Sequence, residues 1–270
     1  MIIDGRAIAR EILAQVKKDT ASLGRPIVVR AVVVKPSPAT ESYLSIKVAR
    51  AHEAGMEMDI VRLRDRAETP EVIEAVQQEG ADAVIVQLPL PENITTTAVL
   101  DSIPLHKDAD VLSSSAYHMF QQGNADALVP PVALALGEIL SRSGVDPQGK
   151  RIIIIGNGRL VGEPASYLLS RFSDQVTVFT RESGNLLDLK DADIIVSGAG
   201  QAGLITPDLI KPGVVLIDAG TSESNGAIAG DAIAECAEVA SVFTPVPGGV
   251  GPIAVACLFK NVSLLATDLA

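Results

Sequence analysis

The sequence contains no tryptophan, and aromatic residues fill only 3% of its 270 positions. Its cores must therefore be aliphatic, and hydrophobic residues reach 47%. Interiors built from Val, Ile, Leu and Ala suit parallel sheets covered by helices on both faces. Cysteine is nearly missing. Cys236 and Cys257 are spaced for neither a CxxC site nor a disulfide framework, so two small buried thiols are expected. Basic residues are outnumbered, 22 Lys and Arg against 33 Asp and Glu, giving a net charge of −11. That field argues against nucleic acid or a membrane surface as partner. We find no run of about 18 uncharged apolar residues, so no bilayer-spanning segment is expected. Charges inside MIIDGRAIAREIL argue against a signal peptide. A cytoplasmic setting is expected.

The length suits one large domain or two ordinary ones. Residues 5–23 carry Ile8, Ile12, Leu13 and Val16 at helical spacing. Strands are expected at 27–34, 57–63 and 82–88, with helices at about 42–54 and from Thr69-Pro70-Glu71 onward. The prolines at 36 and 38 mark 35–41 as a loop. This β-α-β-α-β order implies a parallel sheet. Residues 93–129 read as irregular loops with short helical turns, and 131–143 as a linking helix. A second α/β series follows: strands at 151–155, 175–179, 193–197 and 214–218, a helix over 161–172, and a last apolar helix over about 252–269.

Gly156, Gly158 and Gly162 follow a four-isoleucine strand and open a helix. The first glycine gives the turn its φ freedom, the second lets a phosphate approach the backbone, and the helix start offers free N–H groups. The spacing is GxGxxxG, with Val161 at the usual third position. The strand before, the helix after and a second strand about 20 residues on point to a dinucleotide. The second strand ends Phe179-Thr180-Arg181-Glu182. Arg181, with Arg159, suits the 2′-phosphate of NADP, while Glu182 keeps NAD open. A solvated surface role for Arg181 fits the sequence as well.

Other segments carry candidate substrate chemistry. Tyr43 and Lys47, four apart, share a helix face. A proton-handling lysine must be desolvated or placed near positive charge, but a surface lysine packing its stem on Tyr43 gives the same spacing. Gln87-Leu88-Pro89-Leu90-Pro91 lies just past a strand end, where ligands of open parallel sheets bind. Thr244-Pro245-Val246-Pro247-Gly248-Gly249-Val250-Gly251-Pro252 alternates fixed and permissive backbone, suited to a wall against a flat ligand. Leu88–Pro89 and Val246–Pro247 are candidate cis bonds.

These residues together resemble the bifunctional methylenetetrahydrofolate dehydrogenase/methenyltetrahydrofolate cyclohydrolase family. The match includes Y-x-x-x-K at 43–47, V-Q-L-P-L-P at 86–91, K-D-x-D at 107–110 and V-G-x-P at 161–164. It continues with K-P-G at 211–213, Asp218, G-D at 230–231 and T-P-V-P-G-G-V-G-P at 244–252. The resemblance implies an α/β protein of two domains: a three-layer, parallel-sheet folate domain over 1–129, on which a helix at 254–270 packs back, and a Rossmann-type NAD(P) domain over 130–253. It implies hydride transfer from 5,10-methylenetetrahydrofolate to NADP or NAD, then hydrolysis of the methenyl cation to 10-formyltetrahydrofolate, in one cleft between the domains, without a metal, in a homodimer. By the same resemblance Lys47 handles the proton, Gln87 orients it, Tyr43 borders the folate and Asp110 takes the pterin's amino edge. Leu88, Pro89, Pro247, Gly248, Gly249 and Pro252 line the substrate. Gly156, Asn157, Gly158, Arg159, Val161, Gly162, Arg181, Gly198, Gly200 and Thr221 hold the dinucleotide.

The chain departs from the family pattern in three places. Gly156-Asn157-Gly158 replaces Gly-Arg-Ser. Asp110-Val111-Leu112-Ser113 replaces a stretch that begins Asp-Gly-Phe. Pro130-Pro131-Val132-Ala133 replaces a stretch that begins Pro-Cys-Thr-Pro. Two other readings follow from these changes: a dehydrogenase of another substrate or a monofunctional member on the same fold, and a non-catalytic binding protein. Retention of Tyr43, Lys47, Gln87 and Asp110 argues against the last.

Overall fold

The computed structural model describes residues 1–224 and 227–268. The last two positions of the helix expected over 254–270 lie outside them. The chain divides into two compact units: Arg10–Pro131 with Val255–Ala270, and Met1–Ala9 with Val132–Ala254. This corrects the expectation that residues 1–129 form one domain. The first nine residues group with the second unit because Ile3 N donates to Phe243 O (2.9 Å) and Gly5 N to Gly248 O (2.9 Å). A two-residue bridge of this kind has no signature in a linear pattern.

In chain order, α1 (Gly5–Thr20) leads to β1 (Ile27–Val34), α2 (Pro38–Glu53), β2 (Met56–Leu63), α3 (Thr69–Gln77), β3 (Ala83–Val86), α4 (Thr96–Asp101) and α5 (Ser114–Gln121). The three strands are parallel in the order β2-β1-β3. Central β1 is covered on both faces and apolar except for Arg30, which is buried and paired with Asp59. Ala31 and Val33 pack with Leu44 of α2. Val32 and Val34 join Val72 and Val76 of α3 and Val99 and Leu100 of α4. Each such fully buried side chain contributes about 1.5–3 kcal/mol.

Residues 35–37 are a loop as expected, but 38–41 are already the start of α2. Ser37 caps it by accepting from Thr40 N at 3.1 Å, and Pro38 occupies the first turn, where its missing N–H costs nothing. Helix α3 is capped by Glu68, whose reciprocal bonding with Glu71 forms a capping box. The irregular 93–129 segment holds two short true helices, α4 and α5.

The other unit contains α6 (Pro131–Arg142), β4 (Ile152–Ile155), α7 (Gly162–Leu169), β5 (Val176–Phe179), β6 (Ile194–Ser197), β7 (Val215–Asp218), the antiparallel pair β8 (Ser222–Ser224) and β9 (Ala227–Ala229), and β10 (Val242–Phe243). The five-stranded sheet is parallel, in the order β10-β7-β6-β4-β5. Direction along the chain reverses at β4, which makes the ends of β4 and β6 the topological switch point. Helix α8 (Val250–Asp268) closes the chain. Over Val250–Thr267 it is long and apolar enough to cross a membrane by length and composition. Here it serves as a core helix: buried Asn261 donates to Ala109 O and Val129 O, both at 2.9 Å. Cys236 and Cys257 are both buried, as expected, and form no disulfide.

Candidate active site

Gln87 stands one residue beyond β3 and extends its ladder, N donating to Val32 O at 3.0 Å. The Leu88–Pro89 bond that follows is cis. The Gln87 side chain is buried. Its Nε2 donates to Leu88 O at 3.1 Å and its Oε1 accepts from Lys47 Nζ at 3.2 Å, so both ends of the amide have an assigned job. Lys47 reaches it from the third turn of α2, with Tyr43 one turn earlier, and both side chains are half-buried.

Asp110 completes the group. Burial raises its carboxyl above the usual carboxylate range; the ammonium of Lys47 opposes the rise and the nearby Asp108 charge adds to it. The turn that carries Asp110 is tied at several points. The buried Asp108 carboxylate accepts from Leu112 N (3.0 Å) and Ser113 N (2.7 Å). Asn261 holds the carbonyl of Ala109, and Val111 takes a left-handed φ of 57°. An amine, an amide and a carboxyl that resists ionisation are thus gathered in one unit. Such a set can bind a polar heterocycle edge and move a proton.

The glycine-rich turn lies in the other unit. Gly156 has φ +94°, and a Cβ there would stand 2.7 Å from Gly198 O. A Cβ on Gly162 would fall 2.0 Å from Gly156 O, so α7 packs directly on the turn. Nothing lies within 4 Å of the corresponding position at Gly158. A turn closed on one side by backbone and open at Gly158, leading into a helix start, fits a phosphate; Glu163 in the first turn of α7 works against it. Asn157, Arg181 and Thr221 are exposed, and Arg159 and Val161 are half-buried. Gly198 and Gly200 follow β6, and Thr221 follows β7, at the same end of the sheet as the turn.

Val246–Pro247 is also cis. Around it, Gly249 N donates to Pro245 O at 2.7 Å, and Gly248 has φ +115°. A Cβ on Gly5 would lie 1.8 Å from Gly249 O, so the N-terminus seals one side of this segment. Pro247 is exposed, Gly248 and Pro252 are half-buried and Gly249 is buried.

Sequence reasoning placed Asp108, Asp218 and Asp231 within motifs but gave them no role, and it missed Asn261 and Thr244 Oγ1. All five are buried polar groups with several partners. No composition rule separates a buried carboxylate from a solvated one. The motifs K-D-x-D and G-D were the available signal.

Comparison with known proteins agrees with this geometry. Residues 3–110 match the catalytic domain of tetrahydrofolate dehydrogenase/cyclohydrolase, and residues 130–269 match its NAD(P)-binding domain. The bifunctional protein FolD of Heliobacterium modesticaldum is 38% identical over 274 residues, 96% of this chain and 94% of the relative. The bifunctional enzyme FolD of Campylobacter jejuni superposes with a TM-score of 0.95 at 28% identity, covering 100% of this chain and 99% of that one. A Trypanosoma brucei enzyme complexed with NADP and an inhibitor gives 0.92 at 31% identity, covering 100% and 98%. The chain therefore belongs to the tetrahydrofolate dehydrogenase/cyclohydrolase family and carries both of its activities.

Proposed function

We propose that Lys47 is the proton-handling residue of the cyclohydrolase step and that Gln87 and Asp110 set its state. The observation that carries this is the Lys47 Nζ to Gln87 Oε1 contact of 3.2 Å, beside a carboxyl that the lysine charge reaches. Gln87 Oε1 fixes one N–H direction of Lys47 and leaves the remainder of the amine for water or substrate. Asp110 accepts the pterin's amino edge, where a carboxylate matches two N–H donors. When the methenyl cation forms, its positive charge disfavours an ammonium nearby and so favours the free-base amine. Tyr43, Leu88 and Pro89 border the folate. Pro247, Gly248, Gly249 and Pro252 supply a wall of backbone without side-chain bulk.

The dinucleotide supplies the hydride acceptor. Gly156, Asn157, Gly158, Arg159, Val161 and Gly162 hold its phosphates, and Gly198, Gly200 and Thr221 its other half. Exposed Arg181 at the end of β5 favours NADP over NAD. The net charge of −11 and two buried cysteines that form no disulfide support a cytoplasmic enzyme without polyanionic partners. Dimerisation uses an edge of the sheet bearing the glycine-rich turn, where β5 is the outer strand; sedimentation as a monomer at micromolar concentration would refute this.

The test is Lys47→Met with 5,10-methylenetetrahydrofolate and NADP+ or NAD+ in parallel. The methenyl absorbance should form and persist, with hydrolysis reduced by roughly 10²–10⁴-fold. Hydrolysis at the wild-type rate would remove Lys47 from the role. Weaker saturation by NADP+ than by NAD+ would reverse the cofactor assignment.

A further inference from the structure

Two fully buried carboxylates stand at the ligand-binding end of the five-stranded sheet, and neither has a cationic partner among the described residues. Asp218 is the last residue of β7, paired in register with Ser197 of β6. Asp231 arrives from the segment after β9. Its Oδ2 accepts from Ser197 Oγ at 2.6 Å and Ala199 N at 2.8 Å, and its Oδ1 from Gln201 N at 2.7 Å. Asp218 Oδ1 accepts from Gly220 N at 2.9 Å and Oδ2 from Ala232 N at 2.8 Å. Its backbone N donates to Thr244 Oγ1 at 2.7 Å.

The packing around the pair admits no side chains. A Cβ on Gly220 would fall 2.2 Å from the Asp231 carboxylate, and one on Gly230 would fall 2.2 Å from Asp218 Oδ2. Gly198, at the start of the turn that Asp231 holds, leaves no room for a Cβ beside Val161 of the glycine-rich turn. Asp231 is therefore joined to the dinucleotide turn through the Gly198 turn, which packs on the Val161 side chain.

Burying like charges together without a cation is costly. Burial, with the Asp231 charge adding to it, pushes the Asp218 carboxyl up to about 6. Asp218 also acts on Cys236, whose thiol burial raises to about 11, so it is neutral. A binding fold of this plan lays one mononucleotide half over β4 and β5 and the other across the switch point, over the ends of β6 and β7. The half that would lie there, were the phosphates held at the glycine-rich turn, would bear the nicotinamide ring, which is cationic when oxidised and neutral when reduced.

We propose that Asp218 and Asp231 supply the counter-charge for the oxidised nicotinamide ring, so that the enzyme discriminates between the redox states of its dinucleotide. The proposal rests on the family's NAD(P) binding and not on the role of Lys47. A cation that binds beside Asp218 must, by linkage, lower its pKa, and each unit of lowering corresponds to about a tenfold gain in affinity.

The test is direct binding by calorimetry of NADP+ and NADPH, and of NAD+ and NADH, to the wild type and to Asp218→Asn and Asp231→Asn. The oxidised-to-reduced affinity ratio is used because the phosphates, which also titrate near about 6, are common to both forms and cancel. In the wild type the ratio should rise about tenfold as pH increases through the Asp218 transition. Asp218→Asn should lower the ratio and flatten its pH dependence. A flat wild-type ratio overturns the proposal, and this arm needs no variant to fold. Equal weakening of both redox forms in the variants also overturns it, since a purely structural role predicts that result.

Discussion

Replacing residue 111 by alanine and by glycine tests the backbone that presents Asp110. Val111 is buried, at 1% exposure, and has φ 57°. A β-branched residue is a true outlier in this region, and the left-handed conformation costs an L-residue about 1–2 kcal/mol. The burial of its side chain, worth about 1.5–3 kcal/mol, offsets that strain. Both variants lose this burial, so the informative quantity is the step from alanine to glycine. At an ordinary buried position that step loses a methyl, about 0.8 kcal/mol, and adds glycine's backbone entropy, about 0.5–1 kcal/mol. Ala109, two residues earlier, is fully buried with no left-handed φ and serves as the control. Ala109→Gly should therefore cost about 1–2 kcal/mol. The same step at 111 should cost almost nothing or stabilise, because glycine releases the strain. The difference between the two steps, about 1–2 kcal/mol, should appear in urea denaturation midpoints at constant slope. Equal steps at the two positions would mean that residue 111 is not left-handed.

Gln87→Leu keeps the volume but removes the acceptor at 3.2 Å from Lys47; cyclohydrolase turnover should fall by roughly 10–100-fold, and unchanged turnover would remove Gln87 from the orienting role. Asn261→Leu strands two buried carbonyls, Ala109 O and Val129 O. It should cost about 2–4 kcal/mol and, because Ala109 precedes Asp110, raise the folate KM in whatever folds; an unchanged melting temperature counts against it. Asp218→Asn should alter the pH dependence of stability. The native pKa of about 6 lies above the ordinary aspartate value of 3.8, so the folded state binds more protons between them and stability from this group declines as pH rises through that window. Asparagine does not titrate, so the stability of the variant relative to wild type should grow by about 1–1.5 kcal/mol between about pH 5 and about pH 8. A pH-independent difference would contradict the buried environment.

The alternation of apolar strands with helices was legible because it is local. IVVRAVVV reads as a doubly covered strand, and β1 is one. The glycine-rich turn was legible because a strand before it and a helix after it constrain its meaning. The start of α2 was misread because Pro36 and Pro38 were weighed as breakers, whereas a proline directly after a serine cap begins a helix. The grouping of residues 1–9 with the second unit was beyond reach, since it depends on Phe243 and Gly248, more than two hundred residues away. Lys47 and Gln87 were each singled out, but only the fold brings an amine on α2 to an amide past β3. The change from glycine to Val111 was visible in the sequence only as a departure from the family pattern. The structure places the change in the backbone: the left-handed turn persists at a residue that disfavours it.

The unfavourable features of this chain lie close to its proposed chemistry, and their positions argue that they are retained for it. A left-handed valine follows Asp110 directly. A carboxyl that resists ionisation stands beside the lysine charge. A second, held near 6, ends β7, at the same end of the sheet as the dinucleotide turn. Random drift would scatter such costs across the fold, because a destabilising change is tolerated wherever stability stays above threshold. Clustering beside the proposed site residues is instead what pre-organisation predicts: groups fixed in advance in unfavourable environments gain their partners when ligand arrives. Ligand binding should then relieve part of the cost. At equal ligand concentrations, so that the difference in affinity is retained, the wild-type melting temperature should rise more with NADP+ than with NADPH, and Asp218→Asn should narrow that gap. If the two redox forms stabilise the wild type equally, the cost at Asp218 has another origin.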